Sequence, residues 1–559
     1  MLHSLCSHLL QSSVPELDLK EMELLLEKPK HKDHGDISFP CFALAKHRKN
    51  SPQQIAKELS EHLASPLLRK IEAVGPYVNF FFDPKAVAKE MVNEILAKNT
   101  SFGANQNGDG AAIVVDLSSP NIAKPFSMGH LRSTVIGNSL CLIGEKNGYK
   151  MVKINYIGDW GTQFGKLIYA YLQWGDPNKV AQNPIQELFS LYVKFHAEAE
   201  LNPALEEEGR KAFQQLEAGN KEYIKIWKSF KETSLLSFQK VYDLLGISFD
   251  SWKGESFYNQ KMDATISILQ EKGLLVESEG AIIVSLKDEN LPPCLIKKRD
   301  GATLYATRDL TAVYDRFQDY QFTRAFYVVG HEQSIHFKQV FSVLKKLEAP
   351  FAESLEHIPF GLYLKDGQKM STRKGRVILL EDVLEESIAK ARENIKIRNP
   401  ELANLQEMAT QVGVGAILFH DLKQDRMNSI EFNLDEMLTF EGETGPYLQY
   451  THARAQSLLR KSDADTFHFT YESHEKSWEL IKELYSFPKQ VEQAFNKRSP
   501  AIIAQYLLKI AKLFNQYYSQ VKILSDSNEK ASRLALVKAV TVILKEGMRL
   551  LGMQAPDQM

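Results

Sequence analysis

The segment 116–137, DLSSPNIAKPFSMGHLRSTVIG, sets Lys124, Ser127, Gly129 and His130 in one polar loop that runs into a helical pattern. A loop joining an apolar strand to a helix aims backbone N–H groups and the positive end of the helix at one spot, which suits a phosphate. Gly129 removes a side chain where a flat base or ribose would lie, and Lys124 and His130 are expected to bring positively charged donors. Such donors stabilise the charge that builds on phosphate oxygens during transfer. Alone, a histidine near a helix start is more often a cap or a core residue; its grouping with the lysine and the glycine favours phosphate chemistry. Far downstream, DGQKMSTRKGRV holds Lys369, Arg373, Lys374 and Arg376 with the hydroxyls of Ser371 and Thr372, between the strand pattern GLYLK and the helix pattern LEDVLEESIAK. Such a loop can move and clamp a polyphosphate, although by itself it would read as a solvated basic turn.

The elements that must position these loops follow from hydrophobic pattern. AAIVVDL is a short continuous apolar strand, and YKMVKINYIG, AIIVSL, RAFYVVG and EHIPFGLYL are further strand candidates with helical stretches between them. That alternation predicts an α/β fold with a mostly parallel sheet covered on both faces and ligands at the carboxyl ends of its strands. Residues 178–262 turn helical and highly charged and read as an insertion hanging from the sheet. Residues 1–108 read as an α+β module: an amphipathic helix at the start, a loop around HKDHGDISFP, helices SPQQIAKELSEHLA and PLLRKIEA, the aromatic strand YVNFFF and the helix PKAVAKEMVNEILAKN. Residues 383–559 have helical period without a strand pattern, which predicts a bundle. The catalytic part then falls at 109–382.

Composition narrows the function. A chain of 559 residues exceeds what one hydrophobic core organises, and 44% hydrophobic with 25% charged residues excludes disorder as a whole-chain reading. A net charge of −2 excludes a protein that holds polyanions by bulk charge, so a nucleic-acid partner must be bound locally. Cys6, Cys41, Cys141 and Cys294 are far apart without metal-ligand spacing, which fits a reducing compartment. The first residues lack a basic segment of a secretion signal and no apolar run is long enough to span a membrane, so a soluble, cytoplasmic protein is expected. No structural metal is expected.

SPNIAKPFSMGHLRST resembles the HIGH-type motif of class I aminoacyl-tRNA synthetases in the extended form of arginyl-tRNA synthetases, and KMSTRKG is similar to that family's KMSKS loop. HGDISFPCFALAK and VGPYVNFFF resemble the family's N-terminal domain, YATRDL and YVVGHEQSIHF its arginine-site segments, and GETGPYLQYTHAR and LLGMQAPDQM its anticodon-binding domain. Each piece is short, but their order and spacing span nearly the whole chain. The resemblance implies a Rossmann-type catalytic domain with a helical connective insertion, an N-terminal domain that contacts the tRNA elbow and a C-terminal all-α anticodon-binding bundle. It implies arginine, ATP with magnesium and tRNA(Arg) as partners, a monomer, no membrane partner, and an arginyl-adenylate formed by attack of the arginine carboxylate on the α-phosphate once tRNA is bound. That chemistry needs positioning and charge stabilisation rather than a covalent nucleophile.

By the same resemblance, Lys124, Ser127, Gly129, His130, Lys369, Met370 and Ser371 bind ATP, with Lys124, His130, Lys369 and Ser127 catalytic. An arginine site must neutralise a planar cation, so carboxylates are expected, with Asp116 and Asp309 the candidates. Asp309 would act on the guanidinium beside Tyr305 and Gln333, while Ser119 and Asn121 would hold the amino acid's backbone groups. Asn79, Phe82, Tyr447, Tyr450 and Met559 are the expected tRNA contacts. Three positions depart from the family pattern: Ser127 replaces the first histidine of the HIGH-type motif, Asp116 stands where many relatives have glutamate, and Thr372 takes the place of the second KMSKS lysine, which shifts the main phosphate charge to Lys124. Two rival readings are a tRNA-binding paralogue without charging activity, which Ser127 alone favours, and a nucleotidyltransferase without tRNA, which would not need the long helical C-terminus. Residues 440–559 hold 16 basic against 13 acidic residues, a modest footprint for a polyanion.

Overall fold

The computed structural model describes residues 2–299, 305–365, 367–369, 379–462, 464 and 466–559, and only the backbone of Lys32 and Lys369. The chain divides into two compact units.

The first unit gathers residues 1–99, 458–485 and 513–540. Its antiparallel sheet consists of β1 (Ile37–Pro40), β2 (Leu68–Val74) and β3 (Tyr77–Phe82) in the order β1-β3-β2. PLLRKIEA, expected as a helix, is therefore corrected to strand β2. Its Leu and Ile have helical spacing, but Gly75, at φ +56, closes a tight turn and the segment pairs with the aromatic strand from Leu68↔Phe82 to Val74↔Tyr77. Arg69 and Lys70 lie over the Phe81 ring at 5.8 and 5.3 Å, so cation–π contact adds to the ladder where a single short helix would have little to hold it. The loop expected around HKDHGDISFP contains β1. The helices Pro52–His62 and Pro84–Lys98 begin where Ser51 and Asp83 accept first-turn N–H bonds and proline follows, a start that fixes φ without losing a hydrogen bond. Asn93 of the second helix exchanges two hydrogen bonds with the backbone of Phe469, at 2.9 and 3.0 Å.

The second unit comprises residues 100–457, 486–512 and 541–559. Along the chain come β4 (Ala112–Ser118), β5 (Lys150–Asn155), β6 (Leu275–Ser278), β7 (Ala281–Val284), β8 (Cys294–Lys297), β9 (Arg324–Gly330), β10 (Leu355–Phe360), β11 (Tyr363–Lys365), β12 (Gln368–Lys369) and β13 (Ile430–Glu431). The central sheet is parallel, in the order β10-β9-β4-β5, and β4 is buried along nearly its whole length, as a strand covered on both faces must be. AIIVSL does not join it. Glu279 and Gly280 both adopt positive φ, the two-residue turn that suits a hairpin, and this folds β7 back on β6 in a separate antiparallel sheet with β8. The expectation of no strand after residue 383 is corrected by β13, which runs parallel to β11 and at two residues is too short to leave a periodic signal.

Five helices of this unit carry the argument below: α1 (Met128–Lys146), α2 (Tyr305–Tyr320), α3 (Ser334–Lys346), α4 (Leu380–Arg398) and α5 (Gly445–Arg460). A Cβ at Gly137 would overlap Leu117, so glycine is what lets α1 lie close on β4. The charged insertion forms Pro177–Gln182, Pro184–Leu201, Ala204–Glu217 and Lys221–Leu245. The last of these reaches back to the sheet: the Tyr242 hydroxyl lies 2.8 Å from Ser118 Oγ and accepts from Asn155 Nδ2 at 3.0 Å, and Ser234 Oγ accepts the Ala123 N–H at 2.8 Å. All four cysteines are buried free thiols. Among the described residues no helix is long and apolar enough to cross a membrane.

Candidate active site

A cavity of about 410 Å³ opens at the carboxyl ends of β4 and β9. Its walls include Asp116, Ser119, Asn121, Tyr305, Asp309 and Gln333, residues expected from three distant segments to share one site, together with Tyr156, Gly158, Glu255, Arg316, Tyr327 and His336. Tyr305, Asp309, Ala312 and Arg316 come from α2, whose helical repeat turns these positions to one side. The helix is pinned by Thr307, whose Oγ1 donates to the Ile296 carbonyl of β8 at 2.7 Å. Gly158 lies so close to Asn121 that a Cβ there would strike its side-chain oxygen, so the glycine leaves room for Asn121.

The charges are arranged in pairs. Arg316 Nη2 donates to Asp116 Oδ2 at 2.8 Å, and both side chains are buried. The guanidinium also stands 5.0 Å from the Tyr156 ring centre and 5.7 Å from that of Tyr327. Burial disfavours the Arg316 charge, yet Asp116 outweighs it and holds the arginine protonated far above working pH. Asp116 therefore already has a guanidinium of the chain's own beside it. His336 Nε2–H donates to Asp309 Oδ2 at 2.6 Å. Burial works against protonation of His336, but the bond and charge of Asp309 prevail and raise its pKa above the ordinary histidine value. Glu255 is pushed up to about 8, by burial first and by the charges of Asp309 and Asp159, against the lowering by Arg308; it is mostly protonated at neutral pH. Arg316 and His336 stand seven residues after Asp309 and one turn after Gln333, spacings from which their place in the site follows, whereas SWKGESFY carries no signal for Glu255.

Lys124, Ser127, Gly129 and His130 do not line this cavity. Lys124 reaches it through a relay: Nζ donates to Gln163 Oε1 at 3.1 Å, and Gln163 Nε2 donates to Asn121 Oδ1 at 3.4 Å. The ammonium also sits 4.4 Å from the Tyr192 ring centre. The expectation of a cationic His130 is corrected. Burial, and after it the charge of Lys124, pushes its pKa down to about 4, so the ring is neutral. Its Nδ1 accepts the Ser127 N–H at 3.2 Å and has Ser127 Oγ at 3.1 Å, which leaves the ring proton on Nε2 as a neutral donor. Ser127 thus spends its polar groups on orienting His130. At Gly129 an added Cβ would have only Ser127 Oγ near it, at 3.6 Å, so packing alone does not demand glycine.

The first loop is bonded to the residues that follow the basic loop in sequence. Leu380 N–H donates to the Phe126 carbonyl at 2.9 Å, and Leu379 bridges Ser127 in antiparallel register. Leu379 and Leu380, which follow the basic loop in sequence, are thereby tied to the start of α1. Buried Arg132, two residues after His130, adds hydrogen bonds to the Asn428 and Arg426 carbonyls at 2.8 and 3.3 Å and an ion pair with Asp421. The side chain of Lys369, and Met370, Ser371, Thr372, Arg373, Lys374 and Arg376, lie outside the described residues. Among the described residues no cluster of side chains has the makings of a metal site.

On the bundle, α5 carries Tyr447 and Tyr450, both half-buried. Arg454 and Arg398 lie 4.8 and 5.8 Å from the Tyr450 ring centre. The chain end runs along this helix: Gln449 Nε2 donates to the Gln554 carbonyl and His452 Nδ1 to that of Pro556, each at 2.9 Å, while Asn399 Nδ2 donates to the Met559 carbonyl at 3.5 Å. Asn79 and Phe82, expected at the tRNA surface, are instead core residues, 2% and 1% exposed. The Ser38 hydroxyl donates to the Asn79 side-chain oxygen across the β1–β3 pair.

A parallel sheet whose β4 passes through a glycine-histidine loop into α1, with Leu379 and Leu380 bonded to that loop, is the arrangement expected of a class I tRNA synthetase catalytic domain. The sequence profile described as tRNA synthetases class I (R), catalytic domain, matches residues 91–434; those of the DALR anticodon binding domain and the arginyl tRNA synthetase N terminal domain match 448–559 and 2–82. The arginine--tRNA ligase of an Exiguobacterium species is 55% identical over 544 residues, and that of Enterococcus faecalis 52% over 551, each alignment covering 97% of both chains. The arginyl-tRNA synthetase of Thermus thermophilus superposes with a TM-score of 0.81 at 25% identity, covering 100% of both chains. This chain belongs to the arginyl-tRNA synthetase family.

Proposed function

We propose that this chain attaches arginine to the 3′ end of tRNA(Arg), with the cavity around Asp309 as the arginine site and the loop 124–130 as the ATP site. The observation that carries this reading is that Asp116, Ser119, Asn121, Tyr305, Asp309 and Gln333, drawn from three separate segments, wall a single cavity. Asp309, with Tyr305 and Gln333, receives the guanidinium; Ser119 and Asn121 hold the amino and carboxylate groups; Asp116, held by Arg316, sets the charge of the wall. Lys124, the Nε2–H of His130, Ser127 and Gly129 face the nucleotide, joined by Lys369, Met370 and Ser371. Magnesium enters with the triphosphate as part of the substrate.

A carboxylate oxygen of arginine attacks the α-phosphorus, the new O–P bond forms, and the bond to the bridging oxygen breaks as pyrophosphate leaves. The terminal ribose hydroxyl of the tRNA then attacks the carbonyl carbon of the adenylate, AMP leaves, and the hydroxyl proton goes to solvent. Lys124 supplies the cation for phosphate charge, and His130 supplies a neutral donor. Adenylate formation takes place with tRNA bound. The bundle at 383–559, through Tyr447, Tyr450 and the Met559 end, receives the anticodon loop by stacking. Residues 1–108 meet the tRNA elbow through groups other than Asn79 and Phe82. The protein acts as a monomer in the cytoplasm.

The test is an aminoacylation assay with each amino acid, ATP and total tRNA. Arginine alone is expected to be esterified; comparable charging with another amino acid, or no charging with any, would overturn the reading.

A further inference from the structure

Asp309 is not idle before arginine arrives. His336 Nε2 lies 2.6 Å from its Oδ2, and among the described residues nothing bonds Oδ1. The two come from different helices, α2 and α3, and both line the cavity. A guanidinium binds a carboxylate best through two parallel hydrogen bonds and full opposite charge. A neutral imidazole donating from Nε2 fixes the carboxylate and leaves its charge intact, whereas an imidazolium cancels that charge at the place where the substrate cation must go.

We infer that His336 is a positioning residue for arginine recognition: neutral, it holds the Asp309 carboxylate for the incoming guanidinium, and protonated, it is an internal cation that competes with arginine for that carboxylate. The inference rests on the assignment of arginine to Asp309. The other titratable groups around the pair do not share the role. Asp116 and Arg316, on β4 and α2, hold each other. Tyr305 on α2 is raised by burial and stays neutral, and His357 on β10, stacked on Phe337, is held below the ordinary histidine value by burial first, so it takes up a proton only after His336 has. Glu255, pushed up to about 8, begins to ionise at the upper end of the window, and it does so in wild type and His336 variants alike, so the difference between their profiles reads His336. His336 is raised from the ordinary histidine value of 6.5, so its charge is lost as pH rises through and beyond that value. Arginine affinity must then weaken as pH falls, because the competent fraction shrinks; with full exclusion the apparent Kd rises about elevenfold one pH unit below the His336 pKa.

The test is calorimetric titration of the full chain with arginine, without ATP, between about pH 5.5 and 7.5, where arginine's own groups keep their charge. The wild type is expected to lose affinity towards acid. His336→Gln keeps a donor without a titrating proton and is expected to bind within about threefold of wild type at the upper pH, with a flat profile. His336→Ala is expected to bind at least about tenfold more weakly there, also without the acid slope. Persistence of the wild-type slope in either folded variant overturns the inference. Asp309→Asn separates this from the site assignment: wild-type affinity in that variant would remove arginine from Asp309 altogether, whereas lost binding there with an unchanged slope in His336→Gln would refute only the role of His336.

Discussion

Replacing Lys124 by alanine tests the proposed ATP site most directly. The ammonium is already placed by two partners, 3.1 Å from Gln163 Oε1 and 4.4 Å from the Tyr192 ring centre, so little of its contact energy is lost to ordering a long side chain. A hydrogen bond from such a cation to a charged oxygen contributes about 1.5–3 kcal/mol, which at about 1.4 kcal/mol per decade corresponds to roughly 10–150-fold in the rate of adenylate formation. His130 cannot make up the loss. Lys124 is only the second cause of its low pKa, and burial, the first, remains in the variant and keeps the ring neutral. The relay from Lys124 through Gln163 to Asn121 offers a competing explanation with a different signature: a lysine that only oriented Asn121 would change the KM for arginine and leave kcat alone. The assay is tRNA-dependent ATP–pyrophosphate exchange with arginine, with kcat and both KM values measured. The expected result is a fall of at least about tenfold in kcat with the arginine KM within about threefold of wild type. Near-wild-type exchange, or a loss confined to the arginine KM, refutes the assignment.

Three further outcomes follow from the geometry. Arg316→Met removes the cation that offsets the burial of Asp116 and is expected to cost about 3–5 kcal/mol in denaturant unfolding, while adding Asp116→Asn recovers much of it; a single-variant cost below about 1 kcal/mol would show that Arg316 does not support Asp116 in the folded chain. Tyr450→Ala is expected to weaken tRNA binding in a filter assay by about 1–3 kcal/mol, the range for one stacked base, and unchanged binding would place the anticodon elsewhere. Because the folded pKa of His130 lies near 4, below its unfolded value, the protein should lose stability as pH falls from about 6.5 towards 4, and His130→Asn should flatten that part of the thermal-unfolding profile; an unaltered acid slope would mean that this half-buried ring is not what resists protonation.

Much of the site was legible in local chemistry. The apolar run of β4, the polar loop after it and the helix opening near Gly129 are consecutive in sequence, and hydrophobic period with turn residues is enough to place them. Tyr305 and Asp309 belong to one helical repeat, so their common side of α2 follows from spacing alone. The errors have a common origin. PLLRKIEA and AIIVSL have the periods expected of a helix and of a sheet strand, but the partner strand and the turn residues decide between alternatives that local preference leaves close in energy.

The donor types and the loops that carry them are set by residue order alone: a lysine, a histidine and a glycine at the start of one helix, a tyrosine and a carboxylate on another. The tertiary structure alone decided their charge states and partners. Arg316 lies 200 residues from Asp116, and only the packing of α2 beside β4 brings the pair together and neutralises that wall of the cavity. His130 is neutral because the fold partly withdraws it from water and sets the Lys124 charge nearby, and Asp309 is presented against His336 because two helices meet there. Residue types and periodicities are local properties of a chain, whereas desolvation and Coulomb energy depend on which distant groups share the space, and that is settled only when the elements pack.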